Sequence, residues 1–181
     1  MNSLQALKNG SNLLREKNIS THIIDSELLL SKILNKTREE MLINLNEKID
    51  EKNKFIFKKY LSRRSKKEPI AYILEEKEFW SKKFFVNKDT LIPRPETELL
   101  VDKLLKIYSG KKLSILDIGT GCGCILVSLL SNLNQSKGYG IDISKKATFV
   151  AKMNVKKHKL SDCTKILNVS FENFFNKKFD L

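Results

Sequence analysis

A glycine-rich turn after an apolar run most constrains what this chain can fold into. The run covers residues 113–118, and the turn follows it as Asp117-Ile-Gly119-Thr-Gly121-Cys-Gly123. The apolar run is typical of a buried strand, and the pattern of residues 124–132 is typical of a helix. Glycine lets the backbone turn tightly, and a helix start offers free N–H groups to a ligand. The sequence therefore predicts a strand, a turn and a helix with a ligand site at the turn.

The same alternation of strand and helix continues to the end of the chain. After Gly110 the pattern predicts strands at 113–118, 138–143 and 165–169, and helices at 124–132 and 145–157. Alternation at this spacing predicts an α/β fold with a parallel sheet and right-handed crossovers. Phe179-Asp-Leu181 has the pattern of the beginning of another strand.

The residues before this region predict a helical bundle and a hairpin. Thr37 and Glu40 have the spacing of a capping box, and Asp50 is placed to cap a longer helix that ends before Pro69. Residues 78–86 predict two strands joined at Ser81-Lys82-Lys83, and Pro95 suits the first position of a helix reaching about residue 107. We therefore expect a helical domain at 1–70, a β-hairpin linker at 71–92 and the α/β domain at 93–181.

The spacing of the glycine turn indicates which ligand it holds. The last glycine of a G-x-G-x-x-G dinucleotide fingerprint is replaced by Cys124, which weakens the alternative of NAD binding. Asp142 ends the second predicted strand, 142 − 119 = 23 residues after Gly119. A carboxylate at that position can accept hydrogen bonds from both hydroxyls of a ribose. The two features together favour a site for a nucleoside-containing ligand.

The form Asp-x-Gly-x-Gly-x-Gly with a later acid resembles the S-adenosylmethionine site of class I, Rossmann-like methyltransferases. Three further strings make nearly the whole chain similar to the release-factor glutamine methyltransferases, the HemK/PrmC family: Glu68-Pro-Ile-Ala-Tyr72, Glu78-Phe-Trp80 and Thr90-Leu-Ile-Pro-Arg-Pro-Glu-Thr-Glu98. The resemblance implies a helical domain that grips the release factor, a hairpin linker and a seven-stranded methyltransferase domain. It also implies methylation of the glutamine side-chain amide in the Gly-Gly-Gln loop, a modification of the translation termination machinery.

The resemblance also implies site residues. It assigns the amino-acid portion of the donor to the turn, the ribose to Asp142 and the adenine to Phe171, so the expected donor-binding residues are Gly119, Thr120, Gly121, Cys122, Gly123, Asp142 and Phe171. Glu75 stands where the family commonly has a glycine, which predicts backbone strain, and Ser170 stands where an acid is usual. Cys124 lies beside a predicted helix start, so we expect a lowered pKa for its thiol.

No catalytic residue is expected among these 181 residues. The acceptor loop that the resemblance implies, Asn-Pro-Pro-Tyr, does not occur in the sequence. We therefore expect an N-terminal fragment with a truncated methyltransferase domain, no methyltransferase activity and a first strand whose apolar edge is exposed. The three cysteines, Cys122, Cys124 and Cys163, match neither a disulfide framework nor a zinc pattern, so no metal is expected.

Charge raises a second question about partners. The net charge is +13, and residues 52–67 carry eight basic side chains and no acidic one, with Tyr60 as an aromatic that could stack on a base. This run predicts either a contact with an acidic protein face or nucleic acid, or a merely solvated helix. We expect release factors as partners, with nucleic acid not the direct substrate and the full-length protein a monomer.

Two other functions remain open from the sequence. An amino-methyltransferase acting on adenine in nucleic acid uses a similar acceptor loop, and a non-catalytic module could bind the donor or a release factor without turnover. No apolar run approaches the roughly 18 residues of a membrane helix, and the first residues lack the apolar core of a signal peptide. We therefore expect a cytoplasmic protein without membrane contact.

Overall fold

The computed structural model of the chain describes residues 1–174 and 178–181. Its backbone divides into two compact units, residues 1–74 and residues 75–181. Within the described residues no helix has both the length and the apolar character needed to cross a membrane.

The first unit consists of helices. Their bounds are α1 (Ser3–Glu16), α2 (His22–Leu34), α3 (Arg38–Ile43), α4 (Glu51–Ser65) and α5 (Ile70–Leu74). The predicted capping box is confirmed, because Thr37 Oγ1 accepts from the Glu40 N–H at 3.1 Å and Glu40 Oε2 accepts from the Thr37 N–H at 2.7 Å. Asp50 caps α4 as predicted, since Oδ1 accepts from the Asn53 N–H at 2.8 Å. These side chains satisfy N–H groups that a helix start leaves unpaired.

An apolar core fills the centre of this unit. Its fully buried members come from three helices and include Leu14, Leu29, Leu30 and Met41. The side chain of Asp25 is also buried, with 5% exposed, and it accepts from Arg64 Nε at 2.7 Å and from Thr21 Oγ1 at 2.7 Å. The charge of Asp25 is therefore compensated where burial alone would be unfavourable.

The second unit begins with the predicted hairpin. Strands β1 (Glu76–Phe79) and β2 (Lys82–Phe85) pair antiparallel. The predicted position of the turn is wrong: Lys82 and Lys83 belong to β2, and the turn is formed by Trp80 and Ser81 with φ of +50° and +53°. Two successive positive φ values match the strand twist in a two-residue turn. Glu75, just before β1, has a φ of +55°. This left-handed conformation is the backbone strain expected where the family commonly has a glycine.

The rest of the unit is a parallel sheet with helices. A 3₁₀ turn at Pro95–Thr97 leads into α6 (Glu98–Tyr108), and the sheet region comprises β3 (Ser114–Ile118), α7 (Cys124–Leu130), β4 (Lys137–Asp142), α8 (Lys145–Lys157), β5 (Thr164–Asn168) and a 3₁₀ turn at Phe171–Asn173. The strand order is β3-β4-β5, and both pairings are parallel. The predicted fold class, a helical bundle plus an α/β Rossmann-like region with a hairpin between them, is confirmed.

The free edge of β3 differs from the expectation. The Leu116 N–H donates to the Leu181 carbonyl at 2.8 Å, and the Asp180 N–H donates to the Ser114 carbonyl at 2.9 Å. The prediction of an uncovered edge is therefore wrong along residues 114–116, because the last residues hydrogen-bond there as a neighbouring strand would. This pairing agrees with the strand pattern predicted for residues 179–181.

Candidate donor-binding site

A cavity opens at the carboxyl ends of the parallel strands. Ile118 pairs with Ile141 and Asp142 with Asn168, so the ends of β3, β4 and β5 meet at one edge. The cavity volume is about 410 Å³, and its lining consists of Ile118, Gly119, Ile141, Asp142, Ile143, Val169, Ser170, Phe171 and Glu172. Ligands of open α/β sheets bind at this edge, and the volume lies within the range of small-molecule sites.

The glycine turn adopts a backbone that requires glycine. The φ values of Gly119, Gly121 and Gly123 are +72°, +56° and +81°. A single acceptor on β4 fixes the beginning of the turn, since the N–H groups of Gly119 and Thr120 both donate to the Ile141 carbonyl, at 2.9 and 3.0 Å. Side chains at the three glycine positions would strain this conformation, which explains their spacing.

Asp142 connects the turn to the end of β4. Its Oδ2 accepts from the Gly121 N–H at 3.0 Å, and its Oδ1 accepts from the Ser144 N–H at 2.8 Å. A carboxylate oxygen can accept more than one hydrogen bond, so both oxygens retain capacity for the hydroxyls of a ligand. The backbone bonds hold the carboxylate at the cavity wall in an orientation set before any ligand arrives.

Asn168 is a site residue that the sequence reasoning missed. Its Nδ2 donates to the carbonyls of Asp142 and Ile143, both at 2.9 Å, and so fixes the chain where it leaves β4. The sequence reasoning also missed Ile143, which lines the cavity and is 80% exposed. The available signal was positional: Ile143 directly follows Asp142, and Asn168 ends the neighbouring strand.

Asp117 and Thr120 form a polar pair behind the turn. Thr120 Oγ1 donates to Asp117 Oδ2 at 2.7 Å. Loss of hydration raises the pKa of Asp117, the bond from Thr120 opposes that change, and the nearby charge of Asp142 adds to it. Thr120 is buried, so its side chain supports the turn and does not line the cavity.

The cysteines of the turn are buried. Cys122 is 3% exposed and Cys124 is 9% exposed. The predicted lowering of the Cys124 pKa is wrong: a hydrogen bond with the Cys122 thiol, and then burial, raise the pKa of Cys124. The positive end of the short helix α7 does not outweigh these effects. Among residues 1–174 and 178–181, no group of three His, Cys, Asp or Glu side chains is arranged to hold a metal ion.

Phe171 is one of the residues that line the cavity. Phe171 is 56% exposed, and Ile143 also lines the cavity. Apolar side chains of this kind suit the flat face of a purine. Of the predicted residues, the structure thus brings Gly119, Asp142 and Phe171 to the cavity. Gly121 bonds Asp142, and Gly123 directly precedes α7. The side chains of Thr120 and Cys122 are buried within the turn.

The basic run in the first unit is only partly available to a partner. Arg63 Nε donates to Glu68 Oε2 at 2.8 Å, and Arg64 pairs with Asp25. Tyr60, the aromatic expected to be able to stack on a base, packs against the apolar core instead. Lys58 and Lys67 are exposed, and five further exposed residues follow one face of α4 and its C-cap. We call these five the α4 stripe: Lys52, Phe55, Lys59, Ser62 and Lys66.

Comparison with family models identifies both units. Residues 5–74 match the PrmC N-terminal domain, and residues 95–181 match the methyltransferase small domain. The chain belongs to the HemK/PrmC family. A bifunctional methyltransferase of Rickettsia conorii is 37% identical over 202 residues, which cover 97% of this chain and 38% of that protein.

A release factor glutamine methyltransferase of Buchnera aphidicola is 40% identical over 157 residues, which cover 87% of this chain and 56% of that protein. The chain thus spans between about two fifths and three fifths of the length of these two relatives. Among solved structures, a ribosomal protein L11 methylase from Lactobacillus delbrueckii subsp. bulgaricus superposes with a TM-score of 0.45 at 19% identity. That superposition covers 52% of this chain and 48% of the other.

Proposed function

We propose that the protein transfers a methyl group from S-adenosylmethionine to the side-chain amide of the glutamine in the Gly-Gly-Gln loop of peptide-chain release factors. The carrying observation is the cavity at the carboxyl edge of the sheet, where Gly119, Asp142 and Phe171 meet. Relatives named release factor glutamine methyltransferase, at 38% to 40% identity, support the choice of substrate. A monomer acting in the cytoplasm is part of the same proposal.

The chemistry of the cavity walls supports the donor as the ligand of this cavity. The turn at residues 119–123 would hold the amino-acid portion, Asp142 would accept from the ribose hydroxyls, and Phe171 with Ile143 would flank the adenine. When bound, S-adenosylmethionine supplies a methyl group on a sulfonium. The chain's own contribution is to orient that donor and to keep the Asp142 carboxylate in place through the N–H groups of Gly121 and Ser144.

The acceptor poses a different problem, because an amide nitrogen is a weak nucleophile. Its lone pair is delocalised, so transfer depends on holding the NH₂ group close and drawing on its protons as charge develops. The family resemblance assigns that work to an Asn-Pro-Pro-Tyr loop, and none of the 181 residues matches it. We therefore expect these residues by themselves to bind the donor and not to transfer the methyl group.

Donor binding is tested by titrating the chain with S-adenosylmethionine in a calorimeter. Asp142→Ala removes a charged acceptor and leaves the Gly121 and Ser144 N–H groups without it, so we expect affinity to fall by about 100-fold. Asp162→Ala changes an exposed aspartate away from the cavity and should leave affinity unchanged. Equal affinity of the Asp142 variant and the wild type would refute the assignment of the site.

The substrate is tested with full-length protein, labelled donor and either a release factor or DNA. We expect label in the release factor, and none in a release-factor variant whose loop glutamine is replaced by alanine. Label in DNA alone would show an adenine amino-methyltransferase instead. Donor binding without label in either substrate would show a non-catalytic binding module.

A further inference from the structure

Asn154 is a fully buried amide in the middle of α8. None of its surface is exposed, and a buried amide is unfavourable unless hydrogen bonds compensate it. Its Oδ1 accepts from the Phe85 N–H at 2.7 Å, and its Nδ2 donates to the Phe85 carbonyl at 2.9 Å and to the Cys122 carbonyl at 2.8 Å. All three partners are backbone groups, and they belong to two separate segments of the second unit.

The partners determine the orientation of this amide. A flipped amide would place Nδ2 against the Phe85 N–H and Oδ1 against two carbonyls, which would leave every contact repulsive. Phe85 ends β2, and the N–H of the next residue, Val86, donates to the Glu75 carbonyl at 3.4 Å. Since successive residues of a strand point their N–H groups to opposite sides, the polar groups of Phe85 face away from β1. Asn154 therefore pairs with Phe85 as a further strand would.

The second contact fixes one peptide plane of the glycine turn. Asn154 bonds the Cys122 carbonyl, and the Gly123 N–H donates to the Thr120 carbonyl at 2.8 Å. Because a peptide unit is planar, bonds at both of its ends fix the orientation of the whole Cys122–Gly123 plane. Gly123, with a φ of +81°, would otherwise permit other orientations at low cost.

A second residue of α8 supports the same segment. A Cβ on Gly123 would lie 3.4 Å from the Ala151 Cβ, so the helix packs directly against the turn. The turn is also held by β4, through the Ile141 carbonyl and the Asp142 carboxylate. The Asn154 side chain bonds both the turn, at Cys122, and the hairpin, at Phe85, so it links these two segments directly.

We propose that Asn154 is a positioning residue: it locks the Cys122–Gly123 peptide plane of the donor turn and couples that turn to strand β2 of the hairpin. The identity of the ligand rests on the proposed function, whereas the locking of the turn does not. Binding of the donor then stiffens the turn, and through Asn154 it also protects the Phe85 N–H from exchange with solvent.

The locking is tested without donor, by amide hydrogen exchange measured by NMR on the 181-residue chain. Asn154→Asp keeps the shape and the acceptor for the Phe85 N–H, but it replaces the Nδ2 group that donates to the carbonyls of Cys122 and Phe85. We expect the Gly123 amide to exchange about ten-fold faster or more, with a much smaller change at Phe85. A uniform acceleration of all slowly exchanging amides would show lost stability only and would overturn the proposal.

Val155→Ala supplies the matched control, because Val155 is the next residue of α8 and is also buried, with 4% exposed. It should weaken the unit without selecting Gly123. The proposal is overturned if Gly123 is accelerated no more in the Asn154 variant than in this control, relative to other amides of the second unit.

The coupling of the donor turn to β2 is tested on the wild type, because this measurement does not depend on a variant folding correctly. Saturating S-adenosylmethionine should slow exchange of the Phe85 amide, and an unchanged Phe85 rate would refute the coupling. In titrations, Asn154→Asp should weaken donor binding about ten-fold or more and Val155→Ala less than two-fold. A wild type that binds no S-adenosylmethionine would refute the ligand, and the donor-free exchange of Gly123 would still decide the role of Asn154.

Discussion

The two units use polar side chains in different ways. In the helical unit, the buried carboxylate of Asp25 bonds the side chains of Arg64 and Thr21. In the α/β unit, the side chains of Asp142, Asn154 and Asn168 bond backbone N–H and carbonyl groups around the glycine turn. The buried carboxylate of the first unit thus connects side chains, whereas these three residues of the second unit hold the backbone.

The reason lies in what each backbone leaves unsatisfied. A helix pairs its own N–H and carbonyl groups except at the ends, so side chains within the helical unit serve to join helices. The glycine turn contains one such bond, from the Gly123 N–H to the Thr120 carbonyl, and its other polar groups need partners from elsewhere. The comparison teaches that side chains that bond the backbone around the glycine turn indicate the candidate donor site. The abundant charge of the first unit is not by itself a functional signal.

The largest expected effect on stability follows from breaking the Asp25–Arg64 pair in the first unit. Arg64→Met leaves Asp25 buried without its cation, so we expect the free energy of unfolding to fall by about 3 kcal/mol. Arg63→Met is the matched control, since Arg63 and Glu68 are each about one third exposed and their pair is worth at most about 1 kcal/mol. Urea denaturation followed by circular dichroism measures both. Equal losses would contradict the distinction between the buried and the exposed pair.

The next effect is smaller and concerns the pH dependence of stability in the second unit. Here we expect the Asp117 variant to gain stability relative to the wild type as pH rises, whereas the Arg64 variant loses stability. Since burial raises the pKa of Asp117, the native state binds more protons than the unfolded state between the ordinary pKa and the raised one. Wild-type stability therefore falls as pH rises through that window. Asp117→Asn removes the titration and can still accept from Thr120, so its stability relative to wild type should rise with pH and then level off above the window.

The fluorescence of Trp80, the only tryptophan of the chain, follows unfolding of the second unit in urea at a series of pH values. A difference between wild type and the Asp117 variant that does not depend on pH would contradict the expected titration.

A smaller gain is expected at the start of the hairpin. Glu75 has a φ of +55°, which glycine adopts without the clash of a Cβ. Glu75→Gly should therefore stabilise the second unit by up to about 1 kcal/mol, less the extra freedom of glycine in the unfolded chain. The same Trp80 fluorescence measures it, and Glu78→Gly, within β1, should be destabilising instead.

The smallest expected effect on stability concerns the α4 stripe. Lys52, Lys59 and Lys66 are exposed, so their combined replacement by glutamate should change unfolding by no more than about 0.5 kcal/mol for each site. If the stripe contacts an acidic face of a release factor, association should slow at low salt and much less at high salt. Stopped-flow mixing measures this rate, and an unchanged low-salt rate would show a solvated helix face.

Local rules made much of the fold predictable. The capping box of Thr37 and Glu40 depends on residues three apart, and the glycine turn depends on the backbone freedom of its own residues. The errors occurred where distant or packed groups decide the outcome. Cys124 has a raised pKa because it shares a hydrogen bond with the Cys122 thiol and is buried, and the half-buried Tyr60 packs against the core of the first unit. Neither environment can be read from adjacent residues.

The sequence by itself determined that a strand, a glycine turn and a helix occur with an acid after the next strand, because periodicity and glycine placement act locally. Only the tertiary structure decided which side chains complete that turn. Asn154 lies 32 residues beyond Cys122 and 69 beyond Phe85, and no local pattern distinguishes it from other asparagines of this chain. Its role arises because β2 and the turn direct three backbone groups, two of Phe85 and one of Cys122, to the same place beside α8, where one buried amide satisfies all three.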